Sequence, residues 1–139
     1  STIRKLVQDS NSSNYQVTTI AGFAGSNGSI NNTIGINARF NNPMSLVSYC
    51  NYLYISDTYN NTLRQIDISN TNYPVITVAG IAGNNGYHDD TIGTNATFNN
   101  LTAITILNSN IYVLFLFSDL IFLAISTLLT FLISNESSL

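Results

Sequence analysis

Short runs of apolar residues, separated by clusters of Asn, Gly, Ser and Asp, make up most of the chain up to residue 113. The clearest runs are MSLVSYC (44–50), YLYIS (52–56), TLRQIDI (62–68) and PVITVAG (74–80). Runs of this length that partly alternate and are bounded by turn residues are typical of β-strands. The sequence therefore predicts four consecutive strands between residues 43 and 80, with Asn51 in the first turn.

One Asn- and Gly-rich phrase occurs twice, as AGFAGSNGSINNTIGINARFNN (21–42) and as AGIAGNNGYHDDTIGTNATFNN (79–100). A shift of 58 positions aligns Ile20–Asn42 with Val78–Asn100 without a gap, and 14 of these 23 positions are identical. A repeat of this period indicates a supersecondary unit that buries its apolar face by stacking on its neighbours. The four strands are thus predicted to form one unit, and the repeated phrase to connect successive units.

Glycine and phenylalanine hold fixed places in this phrase. Glycine can take positive φ and, without a side chain, allows a crowded chain to pass between units, so we expect these two roles at the eight glycines of the two copies. They are Gly22, Gly25, Gly28 and Gly35 in the first copy, and Gly80, Gly83, Gly86 and Gly93 in the second. Phe40 and Phe98 are predicted to be apolar anchors that fix each connection to the core.

Several short motifs follow each other in an order that resembles NHL repeats, the blades of six-bladed β-propellers. They are YISD (54–57), NN (60–61), LRQI (63–66), TVAG (77–80) and ARFNNP (38–43). The chain departs from the family at Thr62, where a basic residue is common, and at Leu101, where the first copy has Pro43.

The resemblance covers about residues 2–113 and implies an all-β fold of NHL-like propeller blades that form a partial, open propeller. It divides residues 1–113 into a partial blade (1–22), a linker (23–42), a full blade (43–80), a second linker (81–100) and the start of another blade (101–113). About two blades fall short of the six that close a ring in this family.

The pattern changes at residue 114, where the run LFLFSDLIFLAISTLLTFLI (114–133) carries one charged residue, Asp119. A helix that crosses a bilayer needs about 20 apolar residues. The run therefore predicts a C-terminal apolar helix and a possible transmembrane span, followed by a polar tail (134–139). A non-native apolar extension and a buried helix of a soluble protein are the alternatives, and the orientation of a span cannot be assigned because no basic residue follows Arg64.

Charge and composition narrow the range of partners. Only 8% of residues are charged, against about 25% in an average soluble domain, whereas 21 residues are Asn. The net charge is −3, and the four basic residues, Arg4, Lys5, Arg39 and Arg64, are not clustered as a phosphate-binding surface requires. Nucleic acid is therefore an unlikely partner.

The sequence offers few candidates for chemistry. His88, Asp89 and Asp90 form the one cluster that resembles metal ligands, but a metal site needs three or four convergent ligands. The first copy has Ile30 in place of His88, which favours a solvated turn. Cys50 is predicted to be a small packed side chain. No catalytic, cofactor-binding or metal-binding residue is predicted.

Asp57 and Arg64 flank the turn TYNN (58–61). Their spacing lets the two side chains meet across the hairpin. We therefore expect a structural ion pair, or a hydrogen bond to the turn backbone, in preference to a contact with a ligand.

These observations favour a non-enzymatic interaction module. Members of the NHL-repeat family act mainly as platforms for protein or RNA ligands, and the charge balance here favours a protein or carbohydrate partner. The apolar run (114–133) predicts membrane attachment, with an extracellular or soluble location as the alternative. Two other functions stay open: a fragment of a propeller lyase or hydrolase with a metal in its central channel, and a truncated gene product without independent function.

Overall fold

The computed structural model describes residues 1–115, which form eight β-strands and contain no α-helix. The strands are β1 (Thr2–Gln8), β2 (Tyr15–Gly22), β3 (Pro43–Tyr49), β4 (Tyr52–Asp57), β5 (Thr62–Asp67), β6 (Val75–Ala79), β7 (Leu101–Leu107) and β8 (Asn110–Phe115). All strand pairs are antiparallel, so this part of the chain is an all-β protein.

The four predicted strands between residues 43 and 80 are confirmed as one sheet with the order β3-β4-β5-β6, which we call the central sheet. Its turns follow from local chemistry. Cys50 and Asn51 connect β3 to β4, and Asn61 ends the second turn in the left-handed region with φ of 55°. Asparagine tolerates this region better than other residues with a side chain, which explains the NN motif at 60–61.

Two further sheets of two strands each flank the central sheet. The C-terminal sheet (β7 and β8) reproduces the pairing of β3 and β4 at a distance of 58 residues. Leu101 pairs with Phe115 as Pro43 pairs with Asp57, and both pairs are followed by the same register shift. The sequence repeat is therefore also a repeat of strand register.

The N-terminal sheet (β1 and β2) is the counterpart of β5 and β6. Arg4 pairs with Thr19 as Arg64 pairs with Thr77, and a register shift precedes each arginine. The segment TIRKL (2–6) thus lies in the same register as TLRQI (62–66). The division of the chain into blades and linkers stays a prediction.

The core lies between the N-terminal sheet and the central sheet. Phe40 is fully buried there, with Ala21, Ala38, Ile55, Ile66 and Val75 around it. The predicted anchoring role of Phe40 is thus confirmed. Phe98, its counterpart, is half-buried and packs against Phe115 with ring centroids 5.7 Å apart.

Positive φ occurs at four of the eight repeated glycines, Gly22, Gly25, Gly80 and Gly83. The other four stand where the chain is crowded, which is the second role predicted for these glycines. At Gly35 a Cβ atom would lie 2.5 Å from the carbonyl oxygen of Tyr73, and at Gly93 it would lie 2.7 Å from that of Val78. Each of these two glycines begins a short 3₁₀ turn that packs against the preceding strand.

Strand β8 reaches Phe115 and so includes the first two residues of the run predicted to be a membrane helix. Leu114 and Phe115 continue the ladder with β7 because the register of the repeat extends to them. Within residues 1–115, no helix has the length and apolar character to span a bilayer. The rest of the predicted helix (116–133) and the polar tail (134–139) lie outside the described residues.

Cys50 is exposed, which corrects the prediction of a packed side chain. Its φ of 50° places it in the left-handed region of the two-residue turn between β3 and β4. A residue at such a hairpin tip points away from both faces of the sheet, so its size is not constrained by the core.

Candidate ligand-binding cleft

The turn between β4 and β5 is fixed by a buried ion pair, as the spacing of Asp57 and Arg64 predicted. Arg64 Nη1 donates to Asp57 Oδ2 at 2.8 Å, and both side chains are fully buried. Asp57 also accepts hydrogen bonds from Asn60 Nδ2 at 2.7 Å and from the backbone N–H of Asn41 at 2.7 Å. These bonds tie the turn (58–61) to the end of the first repeated phrase.

Arg64 connects the central sheet to the linker that precedes it. Its Nη2 donates to the carbonyl oxygen of Ile30 at 3.1 Å and to Asn31 Oδ1 at 2.8 Å, and its Nη1 also donates to the carbonyl oxygen of Arg39. The guanidinium carbon lies 5.0 Å from the centroid of the Phe40 ring, a cation–π distance. The arginine is therefore a structural clamp on residues 30–40.

Burial governs the ionisation of this pair. Burial raises the pKa of the Asp57 carboxyl, against the opposing hydrogen bonds from Asn41 and Asn60 and the charge of Arg64. Burial likewise lowers the pKa of the Arg64 guanidinium. Burial of either charge without the other would thus cost much free energy. Since neither group is open to solvent, the pair acts in stability and does not present an acid or base to a substrate.

His88, Asp89 and Asp90 lie at the surface of the second linker. His88 Nε2 is 3.8 Å from Asp90 Oδ2, and the histidine side chain is 69% exposed. Among residues 1–115, no three His, Cys, Asp or Glu side chains converge on a point that could hold a metal ion. Asp90 instead accepts a hydrogen bond from the backbone N–H of Ile92, which shapes the loop.

An open cleft of about 390 Å³ lies between the turn of the central sheet and the second linker. Four asparagines, one tyrosine, one threonine and one glycine line it, and none of these residues is charged. They are Thr58, Tyr59, Asn61, Gly83, Asn85, Asn99 and Asn100. The cleft therefore presents amides and the Tyr59 side chain, whereas the Thr58 hydroxyl is buried and donates to the carbonyl oxygen of Leu101 at 2.7 Å.

Backbone contacts hold the walls of the cleft in place. Gly83 N–H donates to the carbonyl oxygen of Asn60 at 3.2 Å, and Asn100 N–H donates to Asn61 Oδ1 at 2.9 Å. Both Asn61 and Asn100 have left-handed backbone, with φ of 55° and 57°. These links join the turn to both ends of the second linker, so the polar side chains stand on a fixed backbone.

The cleft explains several identities of the repeated phrase. Gly25, Asn27, Asn41 and Asn42 stand 58 positions before Gly83, Asn85, Asn99 and Asn100, and each counterpart is the same residue. In the first linker, Asn27 Oδ1 lies 3.3 Å from the N-terminal nitrogen of Ser1. Three of the four asparagines that line the cleft thus have an identical counterpart in the first linker.

Sequence reasoning did not find this cleft. Its asparagines come from two segments, 58–61 and 83–100, that the fold brings together. With 21 asparagines in the chain, residue type alone does not separate those that line a cleft from those in ordinary turns. The identity of the four positions in both copies was the available signal.

No family model matches the sequence, and no curated protein matches it. A solved structure of an auxiliary nutrient binding protein from Bacteroides thetaiotaomicron is similar to this chain, with a TM-score of 0.61 and 20% sequence identity. The match covers 74% of this chain and 26% of the other, so the chain spans about a quarter of that protein's length. This likeness shows a shared fold for the described strands.

Proposed function

We propose that this chain is a non-enzymatic binding module of NHL-like propeller blades whose cleft takes a neutral, hydroxyl-rich ligand. The observation that carries the proposal is the cleft lined by four asparagines and Tyr59. The four-stranded central sheet and its repeated linkers support the blade assignment. A protein partner with a polar surface fits the same cleft, but the chemistry of its walls favours carbohydrate.

Amide side chains suit this ligand because each offers both donors and an acceptor, as sugar hydroxyls require. No charged group lines the cleft, so nothing there selects an ionic ligand. Tyr59 is 63% exposed at its edge and offers an apolar ring face together with a hydroxyl. The similar structure belongs to a protein named for nutrient binding, which supports a binding role over catalysis.

Binding to an array of neutral oligosaccharides tests the proposal, with Tyr59→Ala and Tyr15→Ala as a matched pair. Both tyrosines are more than half exposed, but Tyr15 lies on the N-terminal sheet, away from the cleft. We expect Tyr59→Ala to weaken binding about tenfold, the loss of one good contact, and Tyr15→Ala to leave it unchanged. Absence of binding to every glycan, or an equal effect of the two substitutions, contradicts the carbohydrate proposal.

We further propose that the apolar residues 116–133 attach the module to a membrane. The proposal rests on the sequence of this segment, where Asp119 is the one charge. A fusion of residues 114–139 behind a soluble reporter should stay in the membrane fraction after alkaline carbonate extraction. A central Asp costs about 3 kcal/mol of insertion free energy and one nearer the end costs less, so Asp119→Leu should raise insertion and Leu123→Asp, at the centre, should abolish it. Full release of the unmodified fusion contradicts membrane attachment.

A further inference from the structure

We propose that a second copy of this chain completes the C-terminal sheet, by adding its own N-terminal sheet to the open edge of β8. The two flanking sheets are complementary halves. β7 and β8 correspond in register to β3 and β4, whereas β1 and β2 correspond to β5 and β6. Placed side by side, the strands β7-β8-β1-β2 reproduce the order of the central sheet.

Side chains of β1 are exposed where their counterparts in the central sheet are buried. Leu6 is 59% exposed, whereas Ile66, its counterpart in the central sheet, is fully buried. Arg4 is exposed as well, whereas Arg64 is fully buried. In residues 1–115, no strand pairs with the outer edge of β1 or of β8. Among the described residues, both edges therefore leave backbone groups unpaired, and such groups favour the addition of a strand.

The pairing of β4 with β5 sets the register that we expect between β8 and β1 of the second copy. Leu53 opposite Ile66 corresponds to Ile111 opposite Leu6, an apolar pair in both cases. Ile55 opposite Arg64 corresponds to Val113 opposite Arg4.

The third pair is polar in both sheets. Tyr54 opposite Gln65, where the glutamine Nε2 donates to the tyrosine hydroxyl at 2.9 Å, corresponds to Tyr112 opposite Lys5, again a tyrosine and a nitrogen donor. Each of these three cross-strand pairs thus keeps its chemistry.

The second linker already has the shape of a site for Arg4 of the second copy. Arg64 contacts the carbonyl oxygens of Ile30 and Arg39, the side chain of Asn31 and the ring of Phe40. The counterparts of these four residues are His88, Thr97, Asp89 and Phe98. The backbone of the two linkers agrees at this point, because Thr97 N–H donates to the His88 carbonyl at 3.0 Å as Arg39 N–H donates to that of Ile30 at 3.0 Å.

The charge of the arginine is compensated in a different way in the completed sheet. Phe115 stands in place of Asp57, so the carboxylate that pairs with Arg64 has no counterpart on β8. Asp89 stands in place of Asn31, whose amide oxygen accepts a hydrogen bond from Arg64. Asp89 of one copy would therefore supply the carboxylate for Arg4 of the next. The carboxylate of Asp89 thus gives the sequence HDD (88–90) of the second linker a role that the sequence INN (30–32) of the first linker does not need.

A contact of this kind joins the front of one copy to the back of the next. Such head-to-tail interfaces generate closed rings or open filaments, depending on whether the rotation between copies closes. The size of the assembly, measured by sedimentation velocity on the full chain, reports which of the two forms.

Disulfide cross-linking between two single-cysteine chains tests the contact directly. Lys5→Cys and Tyr112→Cys are placed in separate full-length chains, each with Cys50→Ser, and the chains are mixed and oxidised. We expect disulfide-linked heterodimers to form in excess over either homodimer. A mixture of Lys5→Cys with Asn108→Cys, at the far end of the hairpin, is the control and should give no such excess. Equal yields in the two mixtures overturn the proposal.

An exchange of charges between Arg4 and Asp89 tests the predicted ion pair between two copies. We expect Arg4→Glu or Asp89→Lys alone to weaken association about tenfold, and the double variant to recover most of the loss, because opposite charges again face each other. Gln16→Glu adds the same charge on β2, where Gln16 pairs with Val7 of its own copy, and should leave association unchanged. If the double variant is weaker than both single variants, or Gln16→Glu acts as Arg4→Glu does, the pairing is wrong.

Discussion

Asp57 and Arg64 are the residues on which the central turn depends. They are buried together and bond to four groups of the first linker, at Ile30, Asn31, Arg39 and Asn41, and to Asn60 of the turn. Forming such a network costs much desolvation free energy. Removing one charge costs more stability, because the other charge is left buried without a partner. The pair therefore fixes the linker to the sheet at the place where one wall of the cleft begins.

We predict that Arg64→Leu lowers the free energy of unfolding by about 3–5 kcal/mol, the usual loss when one member of a buried pair is removed. Arg39→Leu is the matched control, since Arg39 is partly exposed and stacks on the exposed ring of Phe23. Its loss should be about 1 kcal/mol or less. Denaturant unfolding of both variants measures the difference, and similar losses would contradict the clamp role of Arg64.

We predict that His88→Ala changes the free energy of unfolding by less than about 0.5 kcal/mol, as expected for an exposed surface position. The side chain is 69% exposed, and its counterpart in the first linker is Ile30. Thermal unfolding and metal analysis of the purified variant are the measurements. A clear loss of bound metal or of stability would show a role for the imidazole that the geometry does not indicate.

The residue scale also shows what sequence patterns reveal. The Asp57–Arg64 pair was predictable because two opposite charges flanked one turn in a chain with few charges. Its partners Asn41 and Ile30 were not, because they act through backbone groups that every residue has. The exposure of Cys50 was missed although the residue stands at the predicted turn, because cysteine is among the residue types most often buried.

At the scale of elements, the linkers carry most of the information that fixes the fold. Strand positions were predictable from apolar runs and turn residues, and the repeat placed the linkers. The conformations of individual glycines were not predictable, because a required glycine indicates either positive φ or close packing and the sequence does not separate the two. Gly80 needs both, whereas Gly83 needs positive φ alone.

We predict that Gly80→Ala destabilises the protein more than Gly83→Ala does. Both have positive φ, 89° and 77°, which costs an alanine about 1–2 kcal/mol. At Gly80 the added Cβ also meets the ring of Phe98 at 3.0 Å and the backbone of Thr62 at 3.0 Å, whereas at Gly83 it meets nothing within 4 Å. We expect an extra loss of about 1–3 kcal/mol, typical of overpacking. Equal unfolding midpoints for the two variants would contradict this account.

At the scale of the whole molecule, residues 1–115 have one buried core, between the N-terminal and central sheets, and several exposed apolar surfaces. Large apolar side chains are exposed on both flanking sheets, among them Leu6, Val7, Tyr112 and Leu114. The need of such units to stack was evident from the repeat in the sequence. Which strand edges are open was not evident, because it depends on pairing and not on composition.

We predict that the thermal unfolding midpoint of the full chain rises with protein concentration. Anything that binds the folded state and not the unfolded state stabilises it by mass action, and exposed strand edges and apolar faces favour association of folded chains. Differential scanning calorimetry over a hundredfold concentration range is the measurement. A sharp transition at the same temperature throughout, from a monodisperse monomer, would contradict the prediction.

The register shared by the central and C-terminal sheets has a consequence for how such a chain can grow. Leu101 and Phe115 repeat the pairing of Pro43 and Asp57 at a distance of 58 residues, with the same shift after each pair. A tandem genetic duplication of the 58 codons of residues 43–100 would leave every existing strand with its original partner. The inserted segment would keep both the reading frame and the strand register. The chain could therefore lengthen by 58 residues in one event without the evolution of a new interface between strands.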